Sequence, residues 1–91
     1  MSVAEIELRY FAAVQAALGA EGERMPLPGA ATIGDVLARI LERAGSAGVE
    51  ARLPELLGRC SFIVNGRATR DAATPVSAGD TLDVLPPFAG G

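Results

Sequence analysis

The sequence predicts an α+β domain in which one amphipathic helix packs across a mixed sheet of four or five strands. Three patterns carry this prediction. Ile6, Leu8 and Tyr10 alternate with Glu5, Glu7 and Arg9, the period of a strand with one buried face. Ile33, Val36, Leu37, Ile40, Leu41 and Ala44 recur at helical spacing along one face. Asn65-Gly66 directly follows the apolar run from Cys60 to Val64, which is the strongest short-range signal for a hairpin.

Taken in order, residues Val3 to Phe11 read as the first strand, with Ile6, Leu8 and Tyr10 on the core face. The alternation puts Phe11 on the polar side with Glu5, Glu7 and Arg9, an unusual place for an aromatic ring. Ala12 to Leu18 is alanine-rich and predicts a short helix stopped by Gly19. Glu23 to Pro28 predicts a second strand, confined to a sheet edge by Pro26 and Pro28 and pairing with the first as a hairpin. The main helix runs from Ile33 to Ala44. Thr32 is its N-cap, Asp35 adds a carboxylate in the first turn, and Gly45 is the expected stop.

Gly45 to Arg52 reads as a loop, and Leu53 to Leu57 as one helical turn with Pro54 at its start. A return strand is expected over Arg67 to Arg70, and Ala78-Gly79-Asp80 forms a further turn. The last strand, Thr81 to Pro86, places Leu82 and Val84 on one face and Thr81, Asp83 and Leu85 on the other. A crossover through the helix brings the first and last strands together as parallel neighbours at the sheet centre. This order is that of the β-grasp, or ubiquitin-like, fold. A β-grasp domain is expected over residues 1–86, with a flexible C-terminal Gly-Gly tail over 87–91.

Composition narrows the function. The chain has 91 residues, within the range of a single domain, and a net charge of −3. All eight basic residues are arginine and there is no histidine, so the usual general base and the commonest transition-metal ligand are missing. An acidic chain without basic clusters is a poor nucleic-acid binder. The single Cys60 excludes an internal disulfide and any four-cysteine metal or iron–sulfur site, and is expected to be a buried, inert core residue of a cytoplasmic protein. The longest nearly apolar run, Tyr10 to Ala20, is well short of the ~20 residues that span a bilayer, so no membrane association is expected. No pair of carboxylates is spaced as an acid/base couple.

The chemistry is instead expected at the end of the chain. Gly90-Gly91, read as the free C-terminus, follows Pro86-Pro87 and makes a slender strand without Cβ atoms. Five residues from Pro87 to Gly91 reach at most about 16–18 Å, enough to thread a narrow channel in a partner. Phe11 and Leu85 are predicted to lie close together on the outer sheet face beside that exit, forming an apolar partner-binding patch.

The segment Ala78-Gly-Asp-Thr-Leu-Asp-Val-Leu-Pro-Pro-Phe-Ala-Gly-Gly91 resembles the C-terminus of the MoaD/ThiS sulfur carriers. Arg9-Tyr-Phe-Ala-Ala13 is similar to the first strand and helix of MoaD, the small subunit of molybdopterin synthase, and Ile63-Val-Asn-Gly66 to the family's central hairpin. The resemblance implies a non-catalytic subunit that binds no cofactor of its own. A MoeB-like enzyme would use ATP to adenylate Gly91, and a persulfide-derived sulfur would then replace AMP to give a thiocarboxylate. A MoaE-like large subunit would take in Pro87, Phe88, Ala89, Gly90 and Gly91, and sulfur would pass to cyclic pyranopterin monophosphate in molybdenum cofactor biosynthesis. Two other readings share the Gly-Gly chemistry. One is a ThiS-like carrier for thiamine thiazole or cysteine synthesis. The other is a ubiquitin-like protein modifier, which without lysine could not build lysine-linked chains on itself.

Overall fold

Alternation in the first and last strands and one strong helix together produce the observed architecture. The computed structural model describes residues 4–27, 29–46 and 52–87. Along the chain come β1 (Glu5–Tyr10), α1 (Ala12–Leu18), β2 (Gly22–Pro26), β3 (Ala31–Thr32), α2 (Ile33–Ser46), α3 (Leu53–Gly58), β4 (Ser61–Val64), β5 (Arg67–Thr69), β6 (Pro75–Val76) and β7 (Thr81–Leu85). Five strands form one mixed sheet in the order β2-β1-β7-β4-β5. β1 and β7 are parallel, with Glu7 opposite Thr81 and Tyr10 opposite Val84. The other pairings are antiparallel. This is the β-grasp arrangement, with the first and last strands adjacent at the centre. No helix among the described residues is long and apolar enough to cross a membrane.

The core lies between the inner sheet face and α2. Ile6, Leu8 and Tyr10 of β1, Leu82 and Val84 of β7 and Phe62 of β4 meet Ile33, Val36, Ile40 and Ala44 of the helix, all buried. Leu37 and Leu41 flank this contact and remain half-buried. The start of α2 is fixed by a reciprocal capping box: the Asp35 amide donates to Thr32 Oγ1 (3.2 Å), and the Thr32 amide to Asp35 Oδ2 (2.9 Å). The next orphan donors of this helix end, the amides of Ile33 and Gly34, bond to the carbonyls of Thr74 and Ala72. That docking explains the second, two-stranded sheet of β3 and β6, which the sequence pattern does not announce because each strand has only two residues. The main helix also runs past the expected stop at Gly45 to Ser46. Glycine permits a helix to end but does not compel it, and the apolar face closes at Ala44.

Two turns follow their residue chemistry. Asn65 and Gly66 take φ of +50° and +87°, as a two-residue hairpin turn of matching twist requires. Gly22 serves a different need. A Cβ there would sit 2.3 Å from the Leu8 carbonyl oxygen, so β1 and β2 pair only because position 22 has no side chain. Gly22→Ala is expected to cost about 1–3 kcal/mol or more, since the obstructing atom is backbone and cannot swing aside. Denaturant unfolding reads the change directly.

Candidate functional site

β7 is the element that aims the chain end. It is held on both sides, by β1 and by β4, and its last paired residue is Leu85, opposite Ser61. Pro86 and Pro87 then end the ladder, because neither can donate an amide hydrogen. Pro86 is half-buried and Pro87 exposed. Of the residues expected to insert into a partner, Pro87 is thus at the rim of the fold, while Phe88, Ala89, Gly90 and Gly91 lie outside the described residues.

The other end of β7 is clamped by a side-chain network. Asn65 Nδ2 donates to Asp80 Oδ1 (2.9 Å), and Asn65 Oδ1 accepts from the Thr81 amide (2.9 Å). Asp80 Oδ2 accepts from the Ser77 amide (2.8 Å), and the Asp80 carbonyl from the Glu7 amide (3.0 Å). The register of the last strand, and so the place where the chain leaves the sheet, is therefore fixed by the hairpin turn of β4–β5. Asn65 reads in the sequence only as a turn residue; its tie to the Gly-Asp turn before β7 is legible only in three dimensions.

The two residues of the expected patch, Phe11 and Leu85, lie at the end of the β1–β7 pairing. Phe11 follows the last β1 residue, half-buried and extended (φ −129°, ψ 150°), as the N-cap of α1. Ala12 then adopts φ +48°, a left-handed conformation that turns the chain sharply out of the strand. Because Tyr10 is opposite Val84, Phe11 and Leu85 fall one position beyond the last β1–β7 rung. Arg9 stacks its guanidinium over the Phe11 ring, 5.6 Å from the centroid. Its Nε approaches Asp83 Oδ1 to 3.3 Å, a charge contact without hydrogen-bond alignment. On the same rung, Asp83 is opposite Ile63, and Ile63 opposite Ala68. Ile63 is a member of this face that sequence reasoning missed: Phe62 to Val64 is apolar on consecutive positions, so alternation could not say which side Ile63 takes.

Beside the exit, Pro87 also lines a cleft of about 300 Å³ between α1 and α3, floored by Ala13, Ala17 and Leu56 and edged by Arg52 and Arg59. Arg59 pairs with Glu55 (3.2 Å), both well exposed. On the inner side, the phenol of the buried Tyr10 donates to Glu23 Oε2 (2.6 Å), and Arg43 pairs with the same carboxylate. Burial, and then the bond to Glu23, raise the Tyr10 pKa far above the ordinary phenol value. The bond to Glu23 comes first among the causes that raise the Arg43 pKa. This trio holds β2 and α2 together and has no part in the chain exit.

Cys60 is buried, and its thiol lies 3.3 Å from the Leu56 carbonyl as a donor. Burial pushes its pKa up to about 11 from the ordinary thiol value of 9.0. Between those values the folded state retains a proton that the unfolded state has lost, so stability should fall as pH rises from about 9 toward about 11. Cys60→Ala should remove this portion of the pH dependence, measurable by melting at successive pH values. Cys60→Ser should destabilise by roughly 1–3 kcal/mol at neutral pH, because a hydroxyl replaces a weakly polar thiol in the core.

A β-grasp domain with its last strand central and ended by Pro86-Pro87 is of the ubiquitin-like class. The chain belongs to the ThiS family, a family of ubiquitin-like sulfur carriers, whose model matches residues 8–91. Small archaeal modifier protein 3 of Haloferax volcanii is 34% identical over 91 residues, covering 96% of this chain and 99% of that one. The crystal structure of SAMP1 from Haloferax volcanii superposes with a TM-score of 0.74 at 26% identity, covering 96% of this chain and 99% of that chain. Subunit 1 in the complex of subunits 1 and 2 of the molybdopterin-converting factor from Helicobacter pylori gives a TM-score of 0.57 at 26% identity, again over 96% and 99%. Small carriers of this kind are generally non-catalytic.

Proposed function

We propose that this chain is the sulfur-donating small subunit of a molybdopterin synthase. A carboxylate is a poor electrophile, so Gly91 must first be activated: its oxygen attacks the α-phosphorus of ATP on a MoeB-like enzyme and pyrophosphate leaves. A persulfide sulfur then attacks the acyl carbon and AMP leaves, and thiol reduction of the remaining S–S bond yields the thiocarboxylate. A MoaE-like subunit receives the tail and supplies the groups that pass sulfur to cyclic pyranopterin monophosphate. The observation that carries this reading is the path of β7, central and register-locked, ending in Pro86-Pro87. It is supported by the family match running to residue 91 and by the structural likeness to subunit 1 of the molybdopterin-converting factor.

A second reading, a modifier joined through Gly91 to lysines of other proteins, is favoured by the 34% identity to small archaeal modifier protein 3. Both begin with the same adenylate, so the test lies downstream of it. The chain is incubated with its adenylating enzyme, ATP and a sulfur source, and its intact mass is followed. Exchange of one oxygen for one sulfur, followed by sulfur transfer in the presence of the large subunit, is the expected result. Isopeptide adducts on target lysines with no thiocarboxylate would establish the modifier instead, and no change in mass would refute both.

A further inference from the structure

An asparagine that precedes glycine is the pair most prone to deamidate, because the glycine amide nitrogen, with no Cβ beside it, readily attacks the side-chain carbonyl carbon. Asn65-Gly66 is such a pair, and Asn65 is the only asparagine in the sequence. We propose that Asn65 is a modification site held unreacted by the hydrogen bonds that clamp β7, so that deamidation marks a chain whose clamp has opened and prevents it from closing again. The inference is independent of the chemistry at Gly91.

The step is an intramolecular acyl transfer. The Gly66 nitrogen bonds to Asn65 Cγ, the Cγ–Nδ2 bond breaks, and ammonia leaves with the amide proton. Water then opens the cyclic imide at either carbonyl. The product is aspartate, or isoaspartate with an added methylene in the main chain.

Three observations support the site. Asn65 and Gly66 are both exposed, so water reaches the imide. The side-chain amide is held at both ends, since Nδ2 donates to Asp80 Oδ1 and Oδ1 accepts from the Thr81 amide, each at 2.9 Å. The Asn65 main-chain amide adds a bond to the Thr81 carbonyl (3.0 Å). Attack needs Cγ aligned with the Gly66 nitrogen at about 3–3.5 Å, and an amide plane fixed by partners on the far strand is not free to swing into that alignment. Finally, the product differs in a way the fold reads. Asp80 accepts on both oxygens, Oδ1 from Asn65 and Oδ2 from the Ser77 amide (2.8 Å). A carboxylate at position 65 has no proton to offer it and sets two like charges against each other. Isoaspartate also lengthens a turn whose residues, at φ +50° and +87°, set the register of β4 on β5.

The full chain is kept at mildly alkaline pH, folded and in urea, and its tryptic peptide Cys60–Arg67 is resolved into asparagine, aspartate and isoaspartate forms. Conversion in urea should outpace that of the folded chain on the order of tenfold or more, the protection that two hydrogen bonds supply. Folded Asp80→Ala, which leaves Nδ2 without its acceptor, should convert several-fold faster than folded wild type. Equal rates in either comparison overturn the proposal. A second measurement does not depend on how Asp80→Ala folds. Asn65→Asp should melt below wild type, and Asn65→Asp combined with Asp80→Asn should recover most of the loss. In the double variant the new amide donates to the carboxylate at position 65, and its oxygen keeps the Ser77 bond. Wild-type melting of Asn65→Asp, or no recovery in the double variant, overturns the proposal as well.

Discussion

Deleting Gly91 is expected to abolish adenylation and sulfur transfer while leaving the unfolding transition where it was. The loss follows from geometry. Each residue of extended chain contributes about 3.3–3.6 Å, so a shortened tail holds its carboxylate that far from the phosphorus it must attack. A misplacement of about 1 Å in a reacting group already costs on the order of 100-fold, and one of this size leaves no productive encounter. Gly91→Val keeps the length but adds a branched Cβ where a narrow channel must close on the acyl carbon, and it should fail for steric reasons. Stability is insulated because the sheet ladder ends at Leu85, and the buried core among the described residues ends at Val84. Thermal melting and pyrophosphate exchange measure the two sides of this expectation. A variant lacking Gly91 that still supports molybdopterin formation from purified components would refute the sulfur-carrier reading.

Much of the fold was legible because strong local patterns agree with the tertiary structure. β1 and β7 each alternate, and both put the expected side chains inside: Ile6, Leu8 and Tyr10, then Leu82 and Val84. The α2 spacing and the Thr32–Asp35 cap likewise match what is seen. What was not legible depends on contacts distant in sequence. β3 and β6 are too short to carry a period and exist because the start of α2 docks on the carbonyls of residues 72 and 74. The second role of Asn65, tying one turn to another across 15 residues, has no local signature. Ile63 could not be assigned a face because β4 is apolar on consecutive positions. Phe11, by contrast, stood out in the sequence because it breaks the alternation of its strand. The structure places it just past β1, as the cap of α1, with Arg9 across its ring.

Phe11→Asp and Leu85→Asp are each expected to leave the monomer folded while weakening its binding to the large subunit by roughly 2–4 kcal/mol, the range of a central interface anchor. Folding is expected to survive at position 11 for a specific reason. Phe11 occupies the N-cap of α1 with extended backbone and no side-chain cap bond. Aspartate is among the best residues there, since its carboxylate can accept an amide of the first turn. The loss of ring contact with the exposed Arg9 is offset by that new bond. At position 85 the backbone pairing with Ser61 is independent of the side chain, which is only half-buried on the outer face. Binding should suffer because either change removes a large apolar anchor and adds a carboxylate, near Asp83, that must shed its water when the partner docks. Melting of the free monomer and calorimetric titration with the large subunit separate the two effects. Wild-type affinity for either variant would place that residue outside the interface. Unfolding of either would show that the outer face contributes to the core, contrary to the register of β1 on β7.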